Sequence, residues 1–467
     1  MNPSECSHYR QFLDSKHLRQ IKSGITVEAD ELNPMMKDWQ RAITSWALRC
    51  GRAGLFEECG LGKTVQQLVW AEHVCRHHNA NALLLCPLAV QWQTKLEAEK
   101  FGIGCRVKLA ESQADVQDGI TITNYEKLHH FDASQFIAVV ADEASILKSY
   151  VGATKRMLCD KFADTPYKLA CTATPAPNDR MELGNQSEFL GIMPSNAMLA
   201  RWFINDGGAV GTYRLRKHGE RDFWRWMCSW SACISTPSDI GFSDDGYILP
   251  PIRVHEIVIE CKPEPGMLFN VPAAISATDV HREKRRHLNE RADAVAGLVN
   301  GDTDTWVIWC DTDYEADALV ARIKDAIEVR GSESVKAKET KLKAFTDGQE
   351  RVIITKPEIG GFGLNWQHCH KTTWFAGYSY ERWYQAVRRL FRFGQKLPVD
   401  AYVIRTVNEG SIVESIQRKE RQHVEMQREM AALMSDGMRE ELGLSLAPRK
   451  YRPGKSVLLP AWCSSKC

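Results

Sequence analysis

Gly60-Leu61-Gly62-Lys63-Thr64 follows a short apolar run, Ala53-Gly54-Leu55-Phe56, and opens a helical pattern. Glycines in that setting let backbone N–H groups approach phosphates, and the helix N-terminus adds partial positive charge. Lys63 would then reach the β- and γ-phosphates of ATP, and the Thr64 hydroxyl would ligate Mg²⁺. Glu58, Cys59 and Leu61 complete the loop, while Glu57 stands where the usual pattern has its first glycine. Downstream, Asp142-Glu143 closes a second apolar run. A strand-end aspartate can hold Mg²⁺, and the adjacent glutamate can orient and deprotonate an attacking water. Thr172 and Thr174, at the end of the next run, have hydroxyls that could bond these carboxylates. Gln385, Arg389 and Arg392 recur at four- and three-residue spacing, which on a helix puts them on one face. Arginine suits a γ-phosphate because its planar fork spreads and directs the charge.

These groups need strands that end together and helices that start there. Short buried strands are expected at residues 82–86, 119–123, 136–141 and 168–172, with helices at 63–78, 89–100 and 152–163. Residues 195–245 break the rhythm: Phe223, Trp226, Met227 and Trp230 recur at helical spacing and read as a core-facing aromatic stripe. Prolines punctuate the next stretch, and a linker is expected over 246–265. Strands then resume at 306–310, 352–355, 371–375 and 401–404, with helices at 313–328, 334–346 and 381–392. Such alternation predicts parallel sheets covered on both faces. The expected architecture is α/β, with two parallel-sheet domains in tandem that resemble paired RecA-like domains, and an ATP cleft between them. The first would span 34–245, after an N-terminal extension of 1–33. The second would span 266–440 and carry a C-terminal helix at 411–434, before a basic tail at 441–467.

A net charge of +1 gives no overall basic signature, so any nucleic acid must be held by a local patch. The fifteen cysteines are scattered and odd in number, which reads as reduced thiols in a cytoplasmic setting. Met1-Asn2-Pro3-Ser4-Glu5 lacks a signal-peptide pattern, and no apolar run is long enough to span a membrane. His368-Cys369-His370 reads as packing rather than a metal site, because adjacent side chains diverge. The basic run His281 to His287, with Arg291, reads as a solvated helix face, with nucleic-acid contact as the alternative.

In order and spacing these motifs resemble the superfamily-two helicase-like ATPases of the Swi/Snf type, in a small form such as bacteria and their phages encode. The resemblance covers roughly residues 34–440. Asp38-Trp39-Gln40 resembles the motif that contacts adenine, which implies that role for Gln40. Asp142-Glu143-Ala144-Ser145 is similar to motif II, with Ser145 where the family often has His. Thr172-Ala173-Thr174-Pro175 resembles motif III, and Gln385 to Gln395 resembles motif VI, which adds Gln385 to the nucleotide-binding set. Resemblance to the track-facing motifs makes Pro87, Trp92, Thr123 and Asn124 nucleic-acid contacts in the first domain, and Thr355, Gly361 and Asn365 in the second. Trp306 to Cys310 resembles motif IV; the chain between motifs III and IV is short, and no accessory domain stands out.

The activity so implied is ATP hydrolysis coupled to movement along double-stranded DNA. Lys63, Glu143, Arg389 and Arg392 would be catalytic, and Thr172 and Thr174 would couple. Three alternatives stay open at this stage. One is a DEAD/DEAH-type helicase that unwinds RNA or single strands. Another is a clamp that no longer hydrolyses ATP. The third is the motor subunit of a restriction, methylation, phage-defence or phage-replication assembly.

Overall fold

The computed structural model describes residues 22–148, 152–176, 179–205, 213–260, 284–360, 365–375 and 379–443. Among the described residues, fifteen strands are distributed over two large sheets and one small antiparallel pair. The first sheet draws on β1 (Arg52–Glu57), β2 (Asn81–Cys86), β3 (Val107–Leu109), β4 (Ile120–Asn124), β5 (Phe136–Asp142) and β6 (Tyr167–Cys171). After the antiparallel pair β7 (Phe203–Asn205) and β8 (Tyr213–Leu215), β9 (Ser231–Ile234) rejoins it, in the order β3-β4-β2-β5-β6-β1-β9. Every pairing in this sheet is parallel.

Register brings the motifs together. Asp142 lies opposite Cys171, and Cys171 lies opposite Leu55. The chain therefore leaves β1, β5 and β6 along one edge, where open α/β sheets present their loops to ligands. Leu83, Leu84, Val139, Val140 and Leu169 are fully buried, as a sheet covered on both faces requires. The helices nearest this edge are α1 (Asp38–Cys50), α2 (Lys63–His78) and α3 (Gln91–Lys100).

The aromatic stripe lies on α4 (Glu220–Cys228) and just after it, with Phe223, Trp226, Met227 and Trp230 all in the core. This region is not wholly helical. Strand β9 covers β1 on its far side, so the strand that leads into the phosphate loop is interior to the sheet. Glu58 N–H donates to Ile234 O at 3.0 Å and extends that pairing into the loop.

The expected linker is partly sheet. Residues Ile252–Ile259 form β10, parallel to β15 along its whole length, because the prolines stop at Pro251 and a β-branched run follows. The second sheet continues with β11 (Trp306–Trp309), β12 (Ala326–Val329), β13 (Val352–Thr355), β14 (Lys371–Phe375) and β15 (Val399–Thr406), in the order β10-β15-β14-β11-β13-β12. It too is parallel throughout. Helix α5 (Leu288–Asn300) packs beside it, and the basic run that leads into it is divided: Arg285 and Arg286 are exposed, whereas Lys284 and Arg291 are buried. Lys284 is buried against Asp311 and Glu315. Arg291 is fully buried 2.6 Å from Glu409. These two charges are paired internally, since a buried cation needs a partner. His281, Arg282 and Glu283 lie outside the described residues, as does the basic tail from residue 444.

Helix α6 (Tyr380–Val387) is shorter than the expected 381–392. Trp366 N–H takes the Arg389 carbonyl at 3.0 Å, which diverts the chain from helical pairing. The last helix, α7 (Gly410–Glu441), is longer than 411–434 and serves both domains. Val413 and Ile416 join the core of the second domain. Met430, Met434 and Met438, at four-residue spacing, are fully buried in the core of the first. Gly437 permits that docking, because a Cβ there would meet Cys228 Sγ at 2.8 Å. Among the described residues no helix is long and apolar enough to cross a membrane.

Candidate active site

The phosphate loop joins β1 to α2. Gly60 and Gly62 have φ of +89° and +82°, which a side chain would strain. Space excludes one as well. A Cβ on Gly60 would come within 2.9 Å of Phe393 N, and one on Gly62 within 2.4 Å of Gln40 Nε2. Lys63 Nζ donates to the carbonyls of Glu57 (2.7 Å) and Glu58 (3.2 Å), so the ammonium is held at the loop. Glu57, in the position of the absent glycine, is fully buried and accepts from Gln66 Nε2 at 2.7 Å. Burial pushes its carboxyl up to about 7, against the opposing pull of Lys63 and Gln66.

Gln40 is buried, and both ends of its amide are engaged. Its Oε1 accepts from Lys37 N–H at 2.9 Å and its Nε2 donates to Leu61 O at 2.7 Å. It therefore braces the loop, and reading a base would require it to exchange a partner.

Asp142 and Glu143 face the loop from the end of β5. Gln67 Nε2 donates to Asp142 Oδ1 at 2.7 Å, and burial raises the pKa of that carboxyl. Gln67 stands four residues after Lys63 on α2, so helical spacing could have singled it out. Tyr125 OH donates to the Asp142 carbonyl at 2.6 Å. Glu143 has φ +57°, one of two non-glycine residues with positive φ among the described residues. Strain of that kind clusters at functional sites. The Ser145 and Thr172 hydroxyls donate to Glu143 Oε1 at 3.0 and 3.3 Å. Thr172 thus reaches the carboxylate. Thr174 does not: its N–H donates to Thr172 Oγ1 at 3.0 Å, and its own hydroxyl is buried without a partner.

The second domain closes the cleft. Gly60, Gly62, Thr64 and Asp142 line a cavity of about 290 Å³ together with Arg392 and Phe393. Arg389 is buried beside Cys59, Glu143 and Asp142, with Nε donating to Gln385 O at 3.3 Å. Burial, then the neighbouring Arg392, brings its guanidinium down to about 10, still charged at neutral pH. Arg389 and Arg392 do not share a helical face, since α6 ends at Val387. Gln385 stays on that helix with Nε2 buried and unpartnered, away from the cavity lining.

The residues expected on the track divide sharply. Trp92 is 45% exposed on α3, with Lys95 Nζ 5.1 Å from the ring centroid. Pro87 lies half-buried at the end of β2. Thr123, Asn124 and Thr355 are buried. Asn124 Oδ1 accepts Lys127 N–H, and Thr355 Oγ1 donates to Val329 O. Their side chains hold turns and strands together and do not present a surface. Asn365 is half-buried with Oδ1 unpartnered, and Gly361 lies outside the described residues.

Sequence reasoning missed several neighbours of the site. From α7, Gln427 Nε2 donates to the Ala173 carbonyl at 2.7 Å, inside the Thr172–Thr174 segment. Tyr384 and Arg388 reach Glu58 of the phosphate loop. No local signal in the sequence points to a contact across so many residues.

The fold and this cleft define a tandem parallel-sheet protein with one glycine-lysine loop and arginines facing it from the opposite domain. Residues 32–208 match the family model of the SNF2-related domain. That stretch carries β1 to β6 and the loop between β1 and α2. The chain is similar to the solved structure of the Sulfolobus solfataricus SWI2/SNF2 ATPase core in complex with dsDNA. That likeness has 15% identity and a TM-score of 0.40, over 89% of this chain and 98% of the other. No curated protein sequence matches it.

Proposed function

We propose that this chain is a motor that hydrolyses ATP to move along double-stranded DNA. The observation that carries the reading is the split cleft, with Gly60, Gly62 and Thr64 on one wall and Arg392 on the other, and Arg389 buried behind it beside Cys59 and Glu143. Neither wall is complete alone, so turnover and domain apposition are linked. The resemblance of the chain's motifs to the Swi/Snf type favours a duplex track.

In this reading Lys63 leaves the loop carbonyls for the β- and γ-phosphates. Thr64 and Asp142 offer a hydroxyl and a carboxylate on the same cavity, hard oxygen donors that fit Mg²⁺, whose other positions go to phosphate and water. Bound there, the ion would neutralise phosphate charge. Glu143, oriented by Ser145 and Thr172, takes the proton of the attacking water. Arg389 and Arg392 stabilise charge on the transferred phosphoryl group. Thr172 links that chemistry to the segment that Gln427 holds from α7. On the track, Trp92 and Pro87 serve from the first domain and Asn365 and Gly361 from the second. Contacts of this kind grip the backbone and carry no sequence code.

ATP hydrolysis by the purified chain, alone and with duplex DNA, single-stranded DNA or RNA, tests this. Strong stimulation by duplex DNA, lost in Lys63→Ala, is expected. Stimulation by RNA or single strands alone would replace the translocase with an unwinding helicase. Turnover in Lys63→Ala at the wild-type rate would remove the loop from the site.

A further inference from the structure

The phosphate loop carries a carboxylate that opposes its own ligand. Glu58 immediately precedes Cys59 and Gly60, and a free anion there would repel the phosphates of ATP. It is not left free. Cys59 N–H donates to its Oε1 at 2.8 Å, turning the side chain back on the loop. The second domain does the rest: the Tyr384 hydroxyl donates to Oε1, and Arg388 Nη2 lies 3.4 Å from Oε2.

Arg388 is well placed for this. It caps the C-terminus of α6, where a cation is favoured by the helix dipole. Its guanidinium lies 5.0 Å from the ring centroids of both Tyr384 and Phe391, which fix its plane. From the other side it faces Glu420 of α7. The Glu58 side chain is 14% exposed and that of Arg388 16%, so water screens the pair weakly. Burial alone would raise the Glu58 carboxyl, yet Arg388, Tyr384 and Cys59 hold it below the usual range. It is therefore an anion that needs its partner.

We propose that Tyr384 and Arg388 are positioning residues that neutralise and turn aside the phosphate loop's own carboxylate, so that tight ATP binding requires the second domain to be seated on the loop. Their role differs from that of Arg389 and Arg392, which address the phosphates themselves. When the domains separate, the Glu58 charge is left without its cation beside the phosphate site, and ATP affinity falls. A track that holds both domains together thereby raises ATP affinity without touching the nucleotide. This inference rests on the ATPase reading of the same cleft.

A double-mutant cycle on the full chain tests it, reading the affinity of the non-hydrolysable analogue AMP-PNP with Mg²⁺ by calorimetric titration. Arg388→Ala is expected to weaken binding about tenfold, and by less than about twofold in the Glu58→Gln background. Tyr384→Phe removes one hydroxyl and should weaken binding about threefold, again only while Glu58 is present. It carries the test if Arg388→Ala does not fold. Equal losses in both backgrounds would mean that these residues meet the nucleotide directly, and would overturn the latch. So would affinities within twofold of wild type for both single variants. A wild-type chain that does not bind the analogue would sink the ATP reading and the latch with it. A chain that binds it with a flat cycle sinks the latch alone.

Discussion

The two walls of the cleft are built differently. On the first, every functional group leaves the end of a parallel strand in register with its neighbours: Leu55, Asp142 and Cys171 lie side by side. Strand, loop and helix follow one another within a few residues, and Gln66 and Gln67 of α2 return to hold Glu57 and Asp142. On the second wall, Arg389 and Arg392 come from a stretch beyond the end of α6. That stretch is held by Trp366 N–H, by Gln395 Nε2 donating to three carbonyls, and by the Glu58 contact across the cleft. The first wall is preorganised by its own domain. The second is positioned by tertiary contacts, and so is the half that domain movement can switch on and off.

Variants can break this contrast. Arg392→Ala should lower kcat by about 10³-fold or more, the scale of a lost arginine finger, while ATP binding stays within a few fold. If DNA affinity falls and kcat does not, Arg392 belongs to the track and the second wall loses its catalytic part. Glu143→Gln should cut turnover by about 10²-fold or more with ATP still bound, as loss of a general base does. An unaltered kcat would mean that the strained backbone at Glu143 serves something other than water activation.

Two smaller effects sharpen the role of α7. Met434 is fully buried in the first domain, and Met434→Ala should destabilise the chain by about 2–4 kcal/mol in denaturant unfolding. A loss under about 0.5 kcal/mol would show that the helix end does not anchor there. Gln427→Ala removes one hydrogen bond to Ala173 O, about 1 kcal/mol, and should reduce DNA-stimulated turnover about threefold to fivefold with basal turnover little changed. An equal loss in both would mean that the contact supports the fold and not the coupling.

The first wall was legible in the sequence because its signals are local. Gly60, Gly62 and Lys63 carry their backbone and charge requirements within one turn, and Asp142-Glu143 simply ends an apolar run. The second wall misled. Spacing put Gln385, Arg389 and Arg392 on one helical face, yet the Trp366 contact ends that helix early and leaves Gln385 outside the cavity. Thr123, Asn124 and Thr355 read as surface contacts by resemblance and proved to be buried. The basic run before α5 looked solvated, as Arg285 and Arg286 are, and only packing revealed Asp311 and Glu315 opposite Lys284 and Glu409 opposite Arg291.

Strand and helix periodicity, the glycine-lysine loop and the strand-end carboxylates were determined by residues close together in the chain. Each expresses a short-range preference of backbone or charge. Contacts between residues hundreds of positions apart were decided only by the tertiary structure: Glu58 with Arg388, Gln427 with Ala173, and Met434 beside Cys228. No local pattern encodes them, because their energy exists only once both domains are folded and α7 has returned across the molecule.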